Sequence, residues 1–198
     1  HLVQGNRTVP LQIFGRHNMM NLSAAFKVCT LLGIKESDFY DAMITFKGAS
    51  KRLELISGNS TTAVFKDFAH APSKVRATIA AVREQFPERR LIACLELHTY
   101  SSLSKEFLPH YAGALDEADI ALVYFNPHAL SIKRLPPVSA EQIIEGFDNR
   151  SIEVFSDSGA LQQRIMEISP KNSVFLMMSS GNYDGMDLKK MEVQLVES

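Results

Sequence analysis

The chain has 198 residues, of which 45% are hydrophobic and 22% are charged, and its formal net charge is -1. This mixture is typical of a globular domain with a sizeable core. The near-neutral charge argues against a nucleic-acid partner, and the lack of any apolar run of about 18 residues argues against a membrane span. Because Cys29 and Cys94 stand in apolar surroundings and no signal peptide precedes them, we expect unpaired thiols and a cytoplasmic localisation.

The N-terminal quarter of the chain predicts one strand and two helices. Residues 9–14 (VPLQIF) predict a short strand that ends at Gly15. Apolar residues at helical spacing predict a helix over residues 17–32 and a second helix over residues 36–46. The segment KGAS at residues 47–50 predicts a hinge or linker. Since the chain begins with a histidine, we expect it to be a piece of a longer protein.

The pattern changes after this hinge. Apolar runs at residues 53–56 and 62–65 flank a turn and predict a hairpin. Predicted helices and strands then alternate: helices at residues 72–86, 105–117, 140–146, 159–168 and 186–196, and strands at residues 91–95, 120–125, 152–155 and 174–178. This alternation predicts an α/β fold, a Rossmann-like and mostly parallel sheet with helices on both faces, preceded by the strand-helix-helix unit.

The segment DFAHAP at residues 67–72 predicts a ligand-binding corner. It closes an apolar strand and opens a helix, and ligands of open α/β sheets bind at the carboxyl ends of strands. Asp67 and His70 suit a sugar diol and a phosphate or carboxylate, and the helix N-terminus offers N–H groups to an anion. The alternative is that Asp67 ends a strand and His70 is a satisfied turn residue.

A second polar cluster stands at the start of the first predicted helix and contains His17, Asn18 and Asn21. The two asparagines are three residues apart and share a helix face. A carboxamide offers both a donor and an acceptor, which suits the edge of a purine base. The alternative is that Asn18 caps the helix and Asn21 bonds backbone. If both clusters bind one nucleotide, they must face a common cleft.

Two further segments carry candidate binding groups. Arg52 could present its guanidinium to a phosphate, or it could lie on a solvated strand face. The loop SSGNYDG at residues 179–185 has two glycines that let the backbone approach a ligand closely, or it is a plain connection. The sequence contains no G-x-x-x-x-G-K-[ST] loop and no G-x-G-x-x-G, and its histidines lack metal-ligand spacing, so no metal site is predicted.

Taken together, these segments resemble the Mur ligases, which use ATP to join amino acids or peptides to a UDP-muramyl precursor of peptidoglycan. HNMMNLSAA at residues 17–25 resembles the family's H-N-x-x-N-x-x-A-A helix. Residues 46–54 (FKGASKRLE) resemble its F-x-G…R-x-E junction, and DFAHAP resembles its D-[YF]-A-H-x-P turn. The resemblance extends from Gly15 to the last predicted helix.

The resemblance implies a division of the chain and a set of cofactors. Residues 1–48 would be the C-terminal end of the central ATP-binding domain, and residues 49–198 would be the C-terminal Rossmann-like domain. ATP and Mg²⁺ are the implied cofactors, with the P-loop and the main metal ligands outside this chain. We therefore expect the fragment alone to be inactive.

The resemblance also implies residue roles. Adenine contacts fall to His17, Asn18 and Asn21, ribose contacts to Asp67, and phosphate contacts to Arg52. Arg52 and His70 would serve the chemistry, with His70 near the phosphates or an acyl phosphate. The residues implied for the incoming substrate are His98, Ser180, Gly181, Asn182 and Tyr183.

The expected substrates are UDP-N-acetylmuramate and an amine-bearing acceptor. LELHT at residues 95–99 and the loop at residues 179–185 look most like the family members that attach L-alanyl-γ-D-glutamyl-meso-diaminopimelate. Members that attach L-alanine share most of the motifs and are the alternative. Peptide ligases usually carry an arginine where His98 stands, which leaves the acceptor open. A related ligase that extends folate with glutamate and a non-catalytic Rossmann-like binding module are the remaining alternatives.

Overall fold

A small unit of two strands and two helices opens the fold. The structure is a computed structural model that describes residues 2–4 and 7–197. Strand β1 (Leu2–Gln4) pairs antiparallel with β2 (Arg7–Val9), and helices α1 (Arg16–Leu31) and α2 (Glu36–Thr45) follow. Both predicted helices are confirmed. The predicted strand over residues 9–14 is wrong beyond its first residue, because Pro10 has no N–H to donate to a ladder.

This unit has its own small core, whose buried members are Val9, Leu22, Phe39 and Tyr40. One aromatic ring links it to the rest of the fold. Phe14, in the segment between β2 and α1, packs edge-on against Phe65, with ring centroids 5.6 Å apart. The unit therefore packs against the sheet rather than standing apart from it.

Six strands form the central sheet: β3 (Glu54–Gly58), β4 (Thr62–Asp67), β5 (Arg90–Leu97), β6 (Ile120–Phe125), β7 (Glu153–Phe155) and β8 (Ser173–Met178). Their order is β3-β4-β8-β5-β6-β7. The β3–β4 hairpin is antiparallel, and every other pairing is parallel. The predicted hairpin and the predicted mostly parallel sheet are both confirmed. The return of the last strand to a place between β4 and β5 shapes the carboxyl edge of the sheet.

Helices cover both faces of this sheet, as predicted. In chain order they are α3 (Pro72–Gln85), α4 (Pro127–Ile132), α5 (Ala140–Phe147), α6 (Ser158–Glu167) and α7 (Leu188–Glu197). Helices α3 and α5 pack against one face of the sheet, in a core that includes Leu91, Ala93 and Leu95 of β5. Helices α6 and α7 pack against the other face, in a core that includes Ile92 and Cys94 of the same strand. Burial on both faces explains why the inner strands read as continuous apolar runs.

The connection from β5 to β6 differs from the prediction. The predicted helix over residues 105–117 is wrong, because the segment forms turns and one 3₁₀ turn at Leu108–Tyr111. Pro109 cannot donate a helical hydrogen bond, and Gly113 adopts a positive φ of 71° that a right-handed helix does not allow. The short helix α4 was not predicted.

The close packing of α5 on this 3₁₀ turn yields a stability prediction. A Cβ on Gly146 would lie 2.5 Å from the Cβ of Leu108 and 3.1 Å from its carbonyl carbon. Gly146→Ala is therefore expected to lower the free energy of unfolding by about 1–3 kcal/mol through overpacking. Urea unfolding measures the change. Gly159→Ala is the matched control, because its Cβ meets only the flexible Asp157 side chain at 3.2 Å; equal losses in both variants would contradict the packing argument.

Candidate functional site

A cleft of about 670 Å³ lies between the N-terminal unit and α3. Its walls come from α1, the hinge before β3, the end of β4 and the first turns of α3. The predicted residues that line it are His17, Asn18, Asn21, Arg52 and Asp67. The expected common cleft is therefore present, although these side chains come from three separate segments of the chain. Its volume lies within the range of small-molecule sites.

Asp67 holds the hinge to the corner of the sheet. It is the last residue of β4, and it is 5% exposed. Its Oδ2 accepts the backbone N–H of Leu53 at 2.6 Å, and its Oδ1 accepts the backbone N–H of Ala69 at 2.6 Å. Each carboxylate oxygen has a second lone pair for a ligand hydroxyl. Asp67 thus combines a structural role with an acceptor at the cleft.

The hinge that Asp67 holds is strained. Lys51 and Leu53 have positive φ values of 56° and 51°. Side chains with a Cβ adopt this left-handed region at an energetic cost, which surrounding contacts must offset. The hydrogen bond from the Leu53 N–H to the Asp67 carboxylate is one such contact, and the bond from the Phe68 N–H to the Lys51 carbonyl at 2.9 Å is another.

The asparagine pair presents side chains from α1. The N-cap residue of this helix is Gly15, and no side chain caps it, so the alternative that Asn18 caps the helix is wrong. The Asn18 amide nitrogen donates instead to the Phe14 carbonyl at 2.9 Å, which fixes the side chain and leaves its oxygen as an acceptor. Asn21 is exposed and makes no side-chain hydrogen bond within the part of the chain that the structure describes. His17 lines the cleft beside Asn18.

Two cations line the cleft without an acidic partner. The Arg52 guanidinium lies over the Phe68 ring, 5.3 Å from its centroid. Lys74, in the first turn of α3, also lines the cleft. Neither forms a salt bridge with any residue that the structure describes. The sequence analysis missed Lys74, although its place two residues after Pro72 at the helix N-terminus was a usable signal. Such an arrangement attracts a polyanion.

His70 is turned toward its own corner. It is half-buried, it does not line the cleft, and its Nδ1 lies 2.8 Å from the Phe68 carbonyl oxygen. A carbonyl oxygen only accepts, so Nδ1 carries a proton and donates it in this hydrogen bond. The Tyr111 hydroxyl donates to the His70 backbone carbonyl. Nδ1 is therefore hydrogen-bonded within the turn, as the alternative expected. Nε2 is the ring nitrogen that a ligand could contact.

A second candidate site lies where β5 and β8 end side by side. The chain leaving β5 packs onto the α3 face through Leu103 and Leu108. The chain leaving β8 packs onto the opposite face through Tyr183. Adjacent parallel strands whose connections leave on opposite faces form a crevice, and ligands of open α/β sheets bind in such crevices. We call this the β5/β8 crevice.

Of the predicted acceptor residues, His98 and Gly181 meet at this crevice. A Cβ on Gly181 would lie 2.9 Å from the His98 ring, so the loop backbone rests directly on that imidazole. The Ser180 hydroxyl oxygen is buried and has no hydrogen-bond partner among the described residues. Asn182 is exposed, and its side chain accepts from the Gly185 N–H at 3.3 Å.

Tyr183 corrects one prediction. Its ring is in the core beneath the crevice, and its hydroxyl lies 2.9 Å from the Cys94 carbonyl and 2.8 Å from the Met178 carbonyl. Burial raises the pKa of Tyr183 well above its ordinary value, which keeps the hydroxyl protonated as a donor. Its side chain cannot touch a substrate, because the ring is buried in the core and the hydroxyl is occupied by main-chain carbonyls.

Glu96 is the crevice residue that the sequence analysis missed. It is the next-to-last residue of β5 and is 2% exposed, and the hydroxyl of Ser179 donates to its Oε2. An acidic residue within an apolar strand was the available signal.

Asp67 and Leu95 both flank Met178 in the sheet register. Because neighbouring strands are about 4.8 Å apart, the backbones of Asp67 and Leu95 lie about 10 Å apart along one edge, which places the cleft and the crevice side by side.

Neither a metal centre nor a membrane-spanning helix is found in the described part of the chain. Over residues 2–4 and 7–197, no group of three or more histidine, cysteine, aspartate or glutamate residues is placed to hold a metal ion. In the same ranges, no helix is both long and apolar enough to cross a bilayer.

These features define a Rossmann-like α/β domain with a ligand cleft at one sheet corner and a crevice beside it. Residues 51–181 match the protein family described as "Mur ligase, glutamate ligase domain". That match covers more than half of the chain, so the chain belongs to the Mur ligase family.

Named relatives and solved structures agree with this assignment. The chain is 31% identical over 176 residues to a UDP-N-acetylmuramate–L-alanine ligase of Acidithiobacillus ferrooxidans, covering 88% of this chain and 38% of that protein. It is similar in fold to the UDP-N-acetylmuramate–alanine ligase of Thermotoga maritima, with a TM-score of 0.70, 21% identity, and coverage of 94% and 38%. For the murein peptide ligase of Psychrobacter arcticus the TM-score is 0.64, with 22% identity and the same coverage. The chain thus spans about two fifths of these relatives.

Proposed function

We propose that the chain is the C-terminal part of an ATP-dependent ligase that forms an amide bond to UDP-N-acetylmuramate. The observation that carries the proposal is the single cleft that unites the asparagine pair of α1 with Asp67 and Arg52. A nucleotide needs hydrogen-bonding groups for its base, an acceptor for its ribose and cations for its phosphates. The cleft offers all three, and membership of the Mur ligase family supplies the reaction class.

The proposal divides the chain at the hinge. Residues 1–48 would complete a central ATP-binding domain, and residues 49–198 would be the C-terminal domain. The separate core of the N-terminal unit supports this division. The P-loop and the Mg²⁺ ligands would come from outside this chain, so the 198 residues alone would not turn over substrate.

Within the cleft, each proposed role follows from the contacts. Asn21 and the free oxygen of Asn18 would meet the adenine, with His17 beside them. Asp67 would accept the ribose hydroxyls through its remaining lone pairs. Arg52, whose guanidinium lies over the Phe68 ring, would reach the phosphates.

The proposed reaction passes through an acyl phosphate. ATP phosphorylates the muramyl carboxylate, the acceptor amine attacks the acyl carbon, and phosphate leaves the tetrahedral intermediate. The residues of this chain would act by positioning and by neutralising charge, which carry most of the catalysis in phosphoryl transfer. Arg52 would balance the transferring phosphate, and His70 would face it through Nε2. The closeness of the cleft and the β5/β8 crevice suits transfer between the nucleotide and the acceptor.

The proposed acceptor is the tripeptide L-alanyl-γ-D-glutamyl-meso-diaminopimelate. The two segments on which this choice rests, residues 95–99 and 179–185, pack against each other at the β5/β8 crevice. L-Alanine is the second candidate, because the relatives that are 31–38% identical to this chain are named as L-alanine ligases. His98 favours neither, since an imidazole lacks the two parallel N–H donors with which an arginine binds a carboxylate.

An assay of the full-length protein tests the proposal. ATP and UDP-N-acetylmuramate are supplied with L-alanine or with the tripeptide, and ADP release and product mass are measured. ATP-dependent ligation of the tripeptide is the expected result, and ligation of L-alanine alone would select the second acceptor. Absence of ligation with both would refute the proposed ligase and favour a binding module.

The two unpaired cations of the cleft give a prediction about ATP affinity. In the full-length protein, Arg52→Ala is expected to raise the Kd for ATP about tenfold and Lys74→Ala about threefold, because each removes an attraction for the phosphates. Calorimetry at two ionic strengths measures both, and the effect of Lys74 should shrink as salt screens it. Lys105→Ala is the matched control, since Lys105 is exposed but lies outside the cleft. Equal effects of the two lysine variants would contradict the role of Lys74.

A further inference from the structure

The two carboxylate oxygens of Glu96 differ in their hydrogen bonding: Oε2 accepts two hydrogen bonds, and Oε1 accepts none from the described residues. Its Oε2 accepts the Ser179 hydroxyl and the backbone N–H of Tyr183, the latter at 3.0 Å. Its Oε1 faces the Nδ1 of His98 at 3.6 Å, which is too long for a hydrogen bond. The carboxylate is therefore anchored on one side and open on the other.

No lysine or arginine of the described residues compensates the charge of Glu96. A buried carboxylate is costly unless it is paired and fully hydrogen-bonded. Among the described residues, the basic side chain beside it is that of His98, which is 42% exposed at the rim of the β5/β8 crevice. The site thus lacks a cation at the place where the open oxygen points.

A second, independent observation comes from the loop that Glu96 holds. The Ser180 hydroxyl is buried and has no partner among the described residues, and such a group calls for an explanation. The next residue, Gly181, packs so closely that a Cβ would lie 2.8 Å from the Glu96 Oε2. Its backbone N–H donates to the Ser179 hydroxyl oxygen at 2.7 Å. The loop thus packs directly on the Glu96 carboxylate, while the Ser180 hydroxyl lacks a hydrogen-bond partner among the described residues.

We propose that Glu96 binds an ammonium group of the incoming acceptor through Oε1, and that the Ser180 hydroxyl hydrogen-bonds the same ligand. This inference rests on the proposed function and adds an acceptor-binding residue to it. L-Alanine and the tripeptide both carry an α-ammonium group, so Glu96 serves either. This nitrogen is also the nucleophile, so the bound ammonium group gives one proton to Oε1 before the free amine attacks the acyl carbon. An ammonium ion at Oε1 supplies the missing charge, and the ligand supplies the partner that Ser180 lacks.

Glu96→Gln in the full-length protein separates this role from mere loop support. Glutamine keeps one acceptor oxygen for Ser179 and Tyr183 but removes the charge. The KM for the acceptor is expected to rise at least tenfold, while the KM for ATP stays within twofold of the wild-type value. Glu153→Gln is the matched control, because it removes a carboxylate that pairs with Arg164 at the far edge of the sheet; it should leave both KM values unchanged.

Ser180→Ala supplies a second measurement. Removal of an unpaired buried hydroxyl is expected to leave the melting temperature unchanged or slightly raised, and to raise the acceptor KM about threefold. A purely structural hydroxyl would instead lower the melting temperature and leave the KM alone, which would overturn its assignment.

The outcomes distinguish this inference from the proposed function. An acceptor KM within twofold of wild type in Glu96→Gln, or a parallel rise in the KM for ATP, overturns the role of Glu96. If the wild-type protein ligates neither acceptor, the proposed ligase fails. Calorimetric binding of L-alanine and of the tripeptide to wild type and Glu96→Gln then decides the inference: at least tenfold weaker binding to the variant supports it, and equal or absent binding overturns it.

Discussion

Asp67→Ala in the full-length protein is expected to raise the Kd for ATP at least tenfold and to destabilise the C-terminal domain. Loss of one hydrogen bond to a charged group costs about 1.5–3 kcal/mol, and about 1.4 kcal/mol corresponds to a tenfold change in affinity. The same substitution leaves the N–H groups of Leu53 and Ala69 without their acceptor. Each unpaired buried donor costs about 1–3 kcal/mol. Calorimetry of ATP binding and urea unfolding measure the two effects separately.

The control for Asp67 is another carboxylate that accepts a backbone N–H at the opposite end of the sheet. Asp119 accepts the Leu91 N–H at 2.7 Å and pairs with Arg83. Asp119→Ala should lower stability without changing the Kd for ATP, because it lies far from the cleft. An unchanged Kd in Asp67→Ala would reject the ribose assignment and leave Asp67 with its hinge role alone.

The sheet could be predicted from the sequence because its signals are local. Buried parallel strands such as β5 and β6 read as apolar runs, and the helices between them show periodic apolar residues. The prediction failed where a tertiary contact decides the backbone. Between β5 and β6 a helix was predicted over residues 105–117, but Pro109 and the positive φ of Gly113 interrupt it, and α5 packs on the resulting 3₁₀ turn through Gly146 and Leu108.

The cleft residues were predictable for a different reason. Asp67 could be placed at a ligand-binding corner because ligands of open α/β sheets bind at the carboxyl ends of strands. Asn18 lies on α1, outside that sheet, and its place in the same cleft was expected from the family resemblance. Hydrogen-bond partners could not be predicted in this way. Only the fold shows that Asp67 accepts two backbone N–H groups, that the Tyr183 ring lies in the core, and that Glu96 is buried beside the loop at residues 179–185.

Gly15 sets how closely α1 approaches α3 at the wall of the cleft. The wall formed by α1 begins at Gly15, whose φ of 84° and ψ of 145° lie near a region that is essentially restricted to glycine. A Cβ there would lie 2.6 Å from the Cβ of Ala81 in α3. The absence of a side chain at this position allows α1 to approach α3, and the two helices together hold the cleft between them.

Gly15→Ala is therefore expected to widen the cleft and to raise the Kd for ATP at least fivefold, together with a loss of about 2–4 kcal/mol in the free energy of unfolding from strain and overpacking. Gly33→Ala separates the two causes, because Gly33 has a similar φ of 82° but nothing within 4 Å of its would-be Cβ. It should lower stability through backbone strain and leave the Kd unchanged. Adding Ala81→Gly to Gly15→Ala removes the clashing methyl and should recover much of the ATP affinity. A Kd that rises equally in both single variants, or that Ala81→Gly fails to improve, would show that close approach of α1 to α3 is not what shapes the nucleotide cleft.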